Sequence, residues 1–463
     1  MIEQVQAQMS QRMQWALSRP AICLAPYNTI DIRHSSDKKQ QIYQTCCCNL
    51  DEALFVPSNG DDAFAEIKQQ QIEGEWPSSC YRCWKEEQNG GQSERLRAFA
   101  ELPQDRFNAF VTDQSIGEFE FRIKFSNLCS LACRSCSASE SSTFAKITKT
   151  DTDKLYEVDI SDQEEHWQFI TSRIPVLMQK AQHFFVHFIG GETLIQPGMY
   201  KLLEWMVDQG FAPRINVRLT TAMTVNPGDT LMNLLMQFAS VDINLSIDSV
   251  GENYQYVRWP ARFSKIETNL EQLINHQSVL TVRNGRKIHV PRWKCAVSPV
   301  FSLNNIFYID DWLEYWSQWY NRHGIVFHNF VANLTMQTNH LDVQALPTQY
   351  RPQLIESLRK CLLHPIFETY PAQLAAVYNF LTITIAELED NQPQEELWEK
   401  FLRHTSYFDQ KTKLSFAIFN QRLYNILSTQ DREKFRSIVE NTNSESTLTQ
   451  AMTFTRTNVQ SQI

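Results

Sequence analysis

The 463-residue chain has no uninterrupted apolar stretch long enough to cross a bilayer. Its first segment, Met1 to Pro20, is Gln-rich and polar and lacks the apolar run of a signal peptide. There is no long basic run and the net charge is −9, so neither nucleic acid nor an acidic membrane surface is expected as a partner. No internal repeat is visible. The expectation is a cytoplasmic protein in a reducing compartment, where cysteines are thiols or ligands and not disulfides.

What is present fits a soluble globular chain: 43% hydrophobic and 21% charged residues. The length is too great for one ordinary core and predicts two or three domains. Twenty-eight Phe, 15 Tyr and 11 Trp provide bulk for a core or an aromatic-walled site. Nine of the 11 cysteines fall between Cys23 and Cys136, an uneven spread that points to metal. Cys295 and Cys361 stand alone and read as inert buried thiols.

Residues 1–112 are Cys- and turn-rich and read as a small metal-stapled domain. From 113 to 330, strand and helix patterns alternate. The strand candidates are Phe119–Phe125, Phe184–Ile189, Ile215–Leu219, Val241–Ile247, Ile288–Val297 and Ile325–Phe330. Helical patterns cover Tyr200–Val207, Leu231–Ala239 and 305–320, and Pro175 is expected to interrupt a helix over Glu164–Lys180. Such alternation predicts an α/β fold: a parallel sheet with helices outside it, open or closed as a barrel. Residues 331–463 read as a helical C-terminal region, with helices over Leu354–Leu363, Ala372–Leu388, Leu414–Leu427 and Arg432–Val439. The tail from Glu440, rich in Ser, Thr, Asn and Gln, is expected to be poorly ordered.

Cys129, Cys133 and Cys136 form C-x3-C-x2-C directly after the first strand of this alternating region. Three thiolates from one short loop would leave one iron of a four-iron cube open for chemistry on a bound ligand. A zinc ion would need a fourth ligand close by, and only Ser and Glu follow Cys136. Gly190-Gly191-Glu192 ends the second strand, Thr220-Thr221 the third, and Ser246-Ile247-Asp248 the fourth, with Arg258 twelve residues after Ser246. All lie at C-terminal strand ends, the face on which barrel enzymes place their sites.

This set resembles the signature of the radical S-adenosylmethionine (SAM) enzymes. The resemblance implies a partial (β/α)6, TIM-like barrel and a [4Fe-4S] cluster held by Cys129, Cys133 and Cys136. It further implies that SAM is bound by Gly190, Gly191, Glu192, Ser246, Asp248 and Arg258, with Glu192 on its amino group and Arg258 on its carboxylate. The activity implied is reductive SAM cleavage followed by hydrogen abstraction from a peptide, a protein side chain or a small molecule of sugar type. An electron donor such as flavodoxin or ferredoxin would be a partner. Three positions depart from the family pattern. Ser135 replaces an aromatic or large apolar residue before the last cysteine, Thr193 replaces Pro after Glu192, and Thr221 replaces Asn.

A second set, Cys23-Leu24-Ala25-Pro26-Tyr27, Cys46-Cys47-Cys48, and Cys80-x2-Cys83-Trp84 followed by Glu86, Glu87, Gly90, Gly91, Ser93 and Arg95, is similar to the Twitch or SPASM-like auxiliary cluster module. The resemblance implies a second [4Fe-4S] cluster on Cys23, Cys46 or Cys47, Cys80 and Cys83. A structural zinc site made by the same cysteines is the alternative. A non-catalytic metal-binding protein that kept the barrel is the rival to an enzyme.

Overall fold

The computed structural model describes residues 11–34, 41–44, 64–88, 93–114, 117–148, 159–283, 286–291, 293–323, 327, 329–330, 333–334, 339–390 and 395–441. Cys46, Cys47 and Cys48, and the polar tail beyond residue 441, lie outside the described residues.

Among the described residues eight strands form one sheet: β1 (Thr29–His34), β2 (Gln41–Gln44), β3 (Glu118–Ile123), β4 (His183–Phe188), β5 (Ile215–Thr221), β6 (Ser240–Leu245), β7 (Lys294–Val297) and β8 (Asn329–Phe330). Their spatial order is β8-β7-β6-β5-β4-β3-β1-β2. Every neighbouring pair is parallel except β1 and β2, which are antiparallel. The six strands β3 to β8 correspond to the six strand candidates. β1, from the Cys-rich N-terminal segment, adds to the same sheet beside β3.

The alternation in these strands sorts side chains onto two faces. One face carries laterally paired apolar rows, such as Phe121, Val186, Val217 and Val241, then Ile123, Phe188, Leu219 and Ile243. Helices Glu164–Lys180, Pro197–Asp208, Gly228–Leu235 and Phe263–Gln277 share one buried core with these rows. In Pro197–Asp208, Pro starts the helix, and Met199, Leu202, Leu203 and Met206 repeat at the spacing of one helical face. The C-terminal helices contribute Leu354, Leu358, Leu381, Phe401 and Leu423 to the same core. Cys295 and Cys361 are buried within it. A second, small core joins Ala16, Leu24, Leu96, Phe99, Leu102, Phe107 and Phe110 in the N-terminal segment.

Some sequence expectations change. The strand drawn over Ile288–Val297 is two strands. Arg286–Pro291 pairs antiparallel with Ser278–Arg283 in a separate hairpin, and only Lys294–Val297 enters the sheet. Pro291, which has no N–H to donate, closes the first of them. Helix Glu164–Lys180 runs through Pro175. Ile170, Ile174, Leu177 and Met178 are buried on both sides of it, and this packing outweighs the roughly 3 kcal/mol disfavouring an interior Pro. The helix expected over Leu414–Leu427 is two short ones, Phe416–Phe419 and Gln421–Ile426, joined at the buried Asn420. Helix Thr429–Asn441 takes in Glu440, where the polar tail was expected to begin. Helix Glu395–Thr412 was not expected at all, although Trp398, Phe401, Leu402, Thr405, Phe408 and Thr412 repeat at helical spacing. No described helix is long and apolar enough to cross a membrane.

Candidate active site at the cysteine loop

The loop that follows β3 is held from three sides. Its first anchor is the start of helix Ser142–Thr148. The Cys129 amide donates to Ser142 Oγ at 3.1 Å, and Thr143 Oγ1 donates to the Cys129 carbonyl at 2.6 Å. Ser141 Oγ donates to the Leu131 carbonyl. The serine-rich run after Cys136 therefore satisfies the backbone of a loop that has no ladder of its own. In the sequence this run shows only that no obvious fourth ligand follows Cys136; its capping role depends on the fold.

The second anchor is a two-residue ladder. Ala132–Cys133 pairs antiparallel with Arg258–Trp259, with Cys133 opposite Arg258. Arg258 Nη1 thus lies 3.7 Å from Cys133 Sγ, and its Nε donates to Asp248 Oδ2 at 2.6 Å. Asp248 is fully buried and also accepts from the Val300 amide at 2.9 Å. Ser246 is half-buried just past the end of β6, and its amide donates to the Thr221 carbonyl at 2.8 Å.

The third anchor is the Gly190-Gly191-Glu192 turn. Gly190 and Gly191 have φ of +81° and +53°. A Cβ on Gly191 would stand 2.2 Å from the Leu128 carbonyl oxygen, so only Gly allows the turn to seat against the cysteine loop. The Glu192 amide donates to that same carbonyl at 2.9 Å. The Glu192 carboxylate is buried and takes four donors: Thr221 Oγ1 at 2.6 Å, the Ala222 amide at 3.1 Å, Thr224 Oγ1 at 3.2 Å and the Leu194 amide at 3.3 Å. Thr193 Oγ1 donates to the Thr220 carbonyl at 2.6 Å. Thr193 and Thr221, two of the three departures from the family pattern, are therefore the side chains that tie this turn to the end of β5.

A further charged group lies between the cysteines, outside the motifs. Arg134, between Cys133 and Cys136, is buried. It pairs with Asp409 at 2.6 Å, donates to the Tyr256 carbonyl at 2.8 Å, and lies 3.6 Å from the centre of the Tyr256 ring. Asp409 belongs to helix Glu395–Thr412, and His404 of that helix donates from Nε2 to the Arg134 carbonyl at 3.0 Å. Phe408 and Tyr407 complete a small apolar cluster with Ala132, Phe144 and Cys136. Helix Glu395–Thr412 thus covers the cysteine loop.

No protein-family model and no curated protein sequence matches this chain. The chain is similar to a solved structure described as "Native anSMEcpe with bound AdoMet", with a TM-score of 0.38 and 14% identity over 54% of this chain and 62% of that one. A second, "Native anSMEcpe with bound AdoMet and Cp18Cys peptide", gives a TM-score of 0.36 and 15% identity over 54% and 61%. The match therefore spans less than two thirds of either protein, and a likeness at this level does not define a family.

The three thiols test the fit of a cluster. Burial pushes Cys129 up to about 12, with neighbouring Cys133 adding to the shift. Burial also raises Cys136 well above the usual thiol value, with Cys133, Glu140 and Cys129 as further causes. Cys133 rises by burial too, against the opposing pull of Arg258. Three neighbouring thiols so placed become thiolates only when a metal supplies positive charge. Among the described residues no group of three or more His, Cys, Asp or Glu is drawn in around a single ion. A four-iron cluster binds each thiolate through a different iron, so its ligands need not converge on one point. The donor set fits such a group.

In the N-terminal segment Cys80 ends a 3-10 turn, Cys83 is buried on helix Tyr81–Gln88, and Cys23 is half-buried before helix Ala25–Asn28. Arg95 joins these pieces. It forms a two-pronged pair with Glu87 at 2.9 and 2.5 Å and donates to the Ile22 carbonyl, beside Cys23, at 2.9 Å. Ser93 caps helix Glu94–Glu101. The Glu87, Ser93 and Arg95 positions of the second motif thus act as a staple between the Cys23 and Cys80–Cys83 segments.

Proposed function

We propose that this chain is a radical SAM enzyme with Cys129, Cys133 and Cys136 as ligands of a [4Fe-4S] cluster. One observation carries the reading: three neighbouring thiols on one loop at the C-terminal edge of a parallel sheet, with Glu192, Asp248 and Arg258 packed around them. The chemistry that such a cluster supplies with SAM is one-electron cleavage of the S–C5′ bond, with hydrogen removed from a substrate. In this reading Gly191 seats the Glu192 turn against the loop, and Asp248 aligns the Arg258 guanidinium, whose remaining N–H groups suit a carboxylate. Ser246 stands at the rim, and helix Glu395–Thr412 excludes water from the loop. A peptide or protein side chain is the proposed substrate, a sugar-type small molecule the alternative, and a flavodoxin or ferredoxin the proposed electron donor. The N-terminal segment would hold a second [4Fe-4S] cluster through Cys23, Cys80, Cys83 and Cys46 or Cys47, with a cytoplasmic location suiting both clusters.

A second reading has its own support. The Glu192 carboxylate already takes four donors of its own chain, and Arg258 is already paired with Asp248. Both groups are then structural, and the chain is an iron–sulfur protein that does not cleave SAM. One experiment separates the two. Protein reconstituted anaerobically and reduced with dithionite is expected to form 5′-deoxyadenosine from SAM, and a Cys129→Ala, Cys133→Ala, Cys136→Ala variant to form none. Wild-type protein that carries the cluster yet forms no product would establish the second reading.

A further inference from the structure

The polar face of the sheet carries a charged row that the site above does not use. Across six adjacent parallel strands the register aligns Asp31, Arg122, His187, Arg218, Asp242 and Lys294, and laterally paired residues share a face. Glu120, two residues before Arg122, lies on that face as well. Parallel sheets are commonly covered on both faces by apolar side chains, which this face is not. The row stands within three residues of the C-terminal end of each strand. It is joined to the candidate site through His187 and Thr220, at 2.9 Å, and by Thr193 on the Thr220 carbonyl.

We propose that this face binds an acidic peptide, with Arg218 as the main recognition group and Lys294 beside it; calling that peptide the substrate rests on the SAM-cleavage reading. The Arg122 and Arg218 side chains are 25% and 27% exposed, whereas their carboxylate partners, Glu120 and Asp242, are each 12% exposed. Guanidinium groups therefore form the accessible surface and carboxylates lie beneath. Arg218 is held by Glu120 at 3.2 Å, by Asp242 at 3.1 Å and by the Phe185 ring at 4.7 Å. These two ion pairs use two of its five N–H donors, so its fork is fixed before a ligand arrives. A cation would meet like charge here, and an apolar ligand would strip water from two guanidinium groups. Asp242 Oδ1 is buried with no hydrogen-bond partner among the described residues. Lys294 is exposed and pairs in register with Asp242.

The test uses the full-length, anaerobically reconstituted protein with SAM and no reductant. A degenerate heptapeptide library is equilibrated with it, and the retained peptides are sequenced by mass spectrometry. Asp and Glu are expected to be enriched about tenfold over Asn and Gln, the discrimination of one good charge-assisted contact. The preference should fall to near unity in Arg218→Gln. That change leaves two carboxylates short of a partner, so folding is checked by circular dichroism. Lys294→Gln, at an exposed position, is the second variant and should weaken the preference severalfold. Absence of acidic enrichment, or enrichment kept in both variants, overturns the proposal. Free glutamate that displaces the acidic peptides as well as they displace one another overturns the peptide as the source of the carboxylate. Formation of 5′-deoxyadenosine by the same wild-type preparation without peptide is scored separately. Its failure removes the SAM-cleavage reading and leaves the peptide site to the library result.

Discussion

Arg134 and Asp409 lie 275 residues apart in sequence and form an ion pair at 2.6 Å. Arg134 stands between two of the three clustered cysteines, and Asp409 comes from a helix that follows the sheet by more than sixty residues. The side chains are 1% and 11% exposed, so neither charge has ready access to water. Burial pushes the Asp409 carboxyl up, and Arg134, the Phe416 amide and neighbouring hydrogen bonds oppose that shift. The C-terminal region is thereby coupled to the cysteine loop itself.

Removing one partner of a buried pair leaves the other charge uncompensated, at a cost of about 3–5 kcal/mol. Asp409→Ala is expected to lower the thermal midpoint and to lose iron on desalting faster than wild type. Iron retention equal to wild type would show that the helix covers the loop without holding it.

Gly191 and Gly210 make a controlled comparison. Both have positive φ, +53° and +72°, and an Ala at either position bears a left-handed strain of about 1–2 kcal/mol. Only at Gly191 does the added Cβ meet backbone, the Leu128 carbonyl oxygen at 2.2 Å, while nothing lies within 4 Å at Gly210. Gly210→Ala should be mildly destabilised with iron content unchanged. Gly191→Ala should lose the cluster. Similar iron in the two variants would refute the seating role of the turn.

Acid sensitivity follows from His187 and Glu120. Burial pushes His187 below its ordinary value despite its 2.6 Å contact with Glu120. A neutral ring beside a carboxylate donates from Nδ1, which leaves Nε2 to accept from Thr220 Oγ1. Burial raises the Glu120 carboxyl, yet Arg122, His187 and Arg218 together hold it well below the usual range. Both groups bind fewer protons folded than unfolded. Stability therefore falls as the pH drops below about 6.5 through His187, and further below about 4.3 through Glu120. Urea midpoints measured from about pH 7.5 to 5.5 should decline in wild type and decline less steeply in His187→Gln. Parallel slopes would exclude His187 as the source.

Metal analysis tests the N-terminal cysteines. Two four-iron clusters predict about eight irons per chain, falling to about four in a Cys80→Ala, Cys83→Ala variant. About four irons with one zinc in the wild type would assign the N-terminal site to structural zinc.

The sequence by itself determined the parallel α/β sheet and the short-range groupings. Alternation in Phe119–Phe125 or Val241–Ile247 reports which side chains face a core, and C-x3-C-x2-C or Gly190-Gly191-Glu192 are contiguous, so local spacing encodes them. The tertiary structure alone decided what these groups touch. Ser141, Ser142 and Thr143 cap the cysteine loop, Glu192 is saturated by the end of β5, Cys133 faces Arg258 across a two-residue ladder, and Arg134 meets Asp409. Each of those contacts joins segments whose separation in sequence carries no periodicity. In helix Glu395–Thr412 the buried stripe is polar at Thr405 and Thr412, which weakens its signal in the sequence, and the small cluster of Phe408, Tyr407, Phe144 and Ala132 that it forms on the cysteine loop comes from packing between distant elements. Packing of that kind is chosen by the whole fold and is not carried by any single segment.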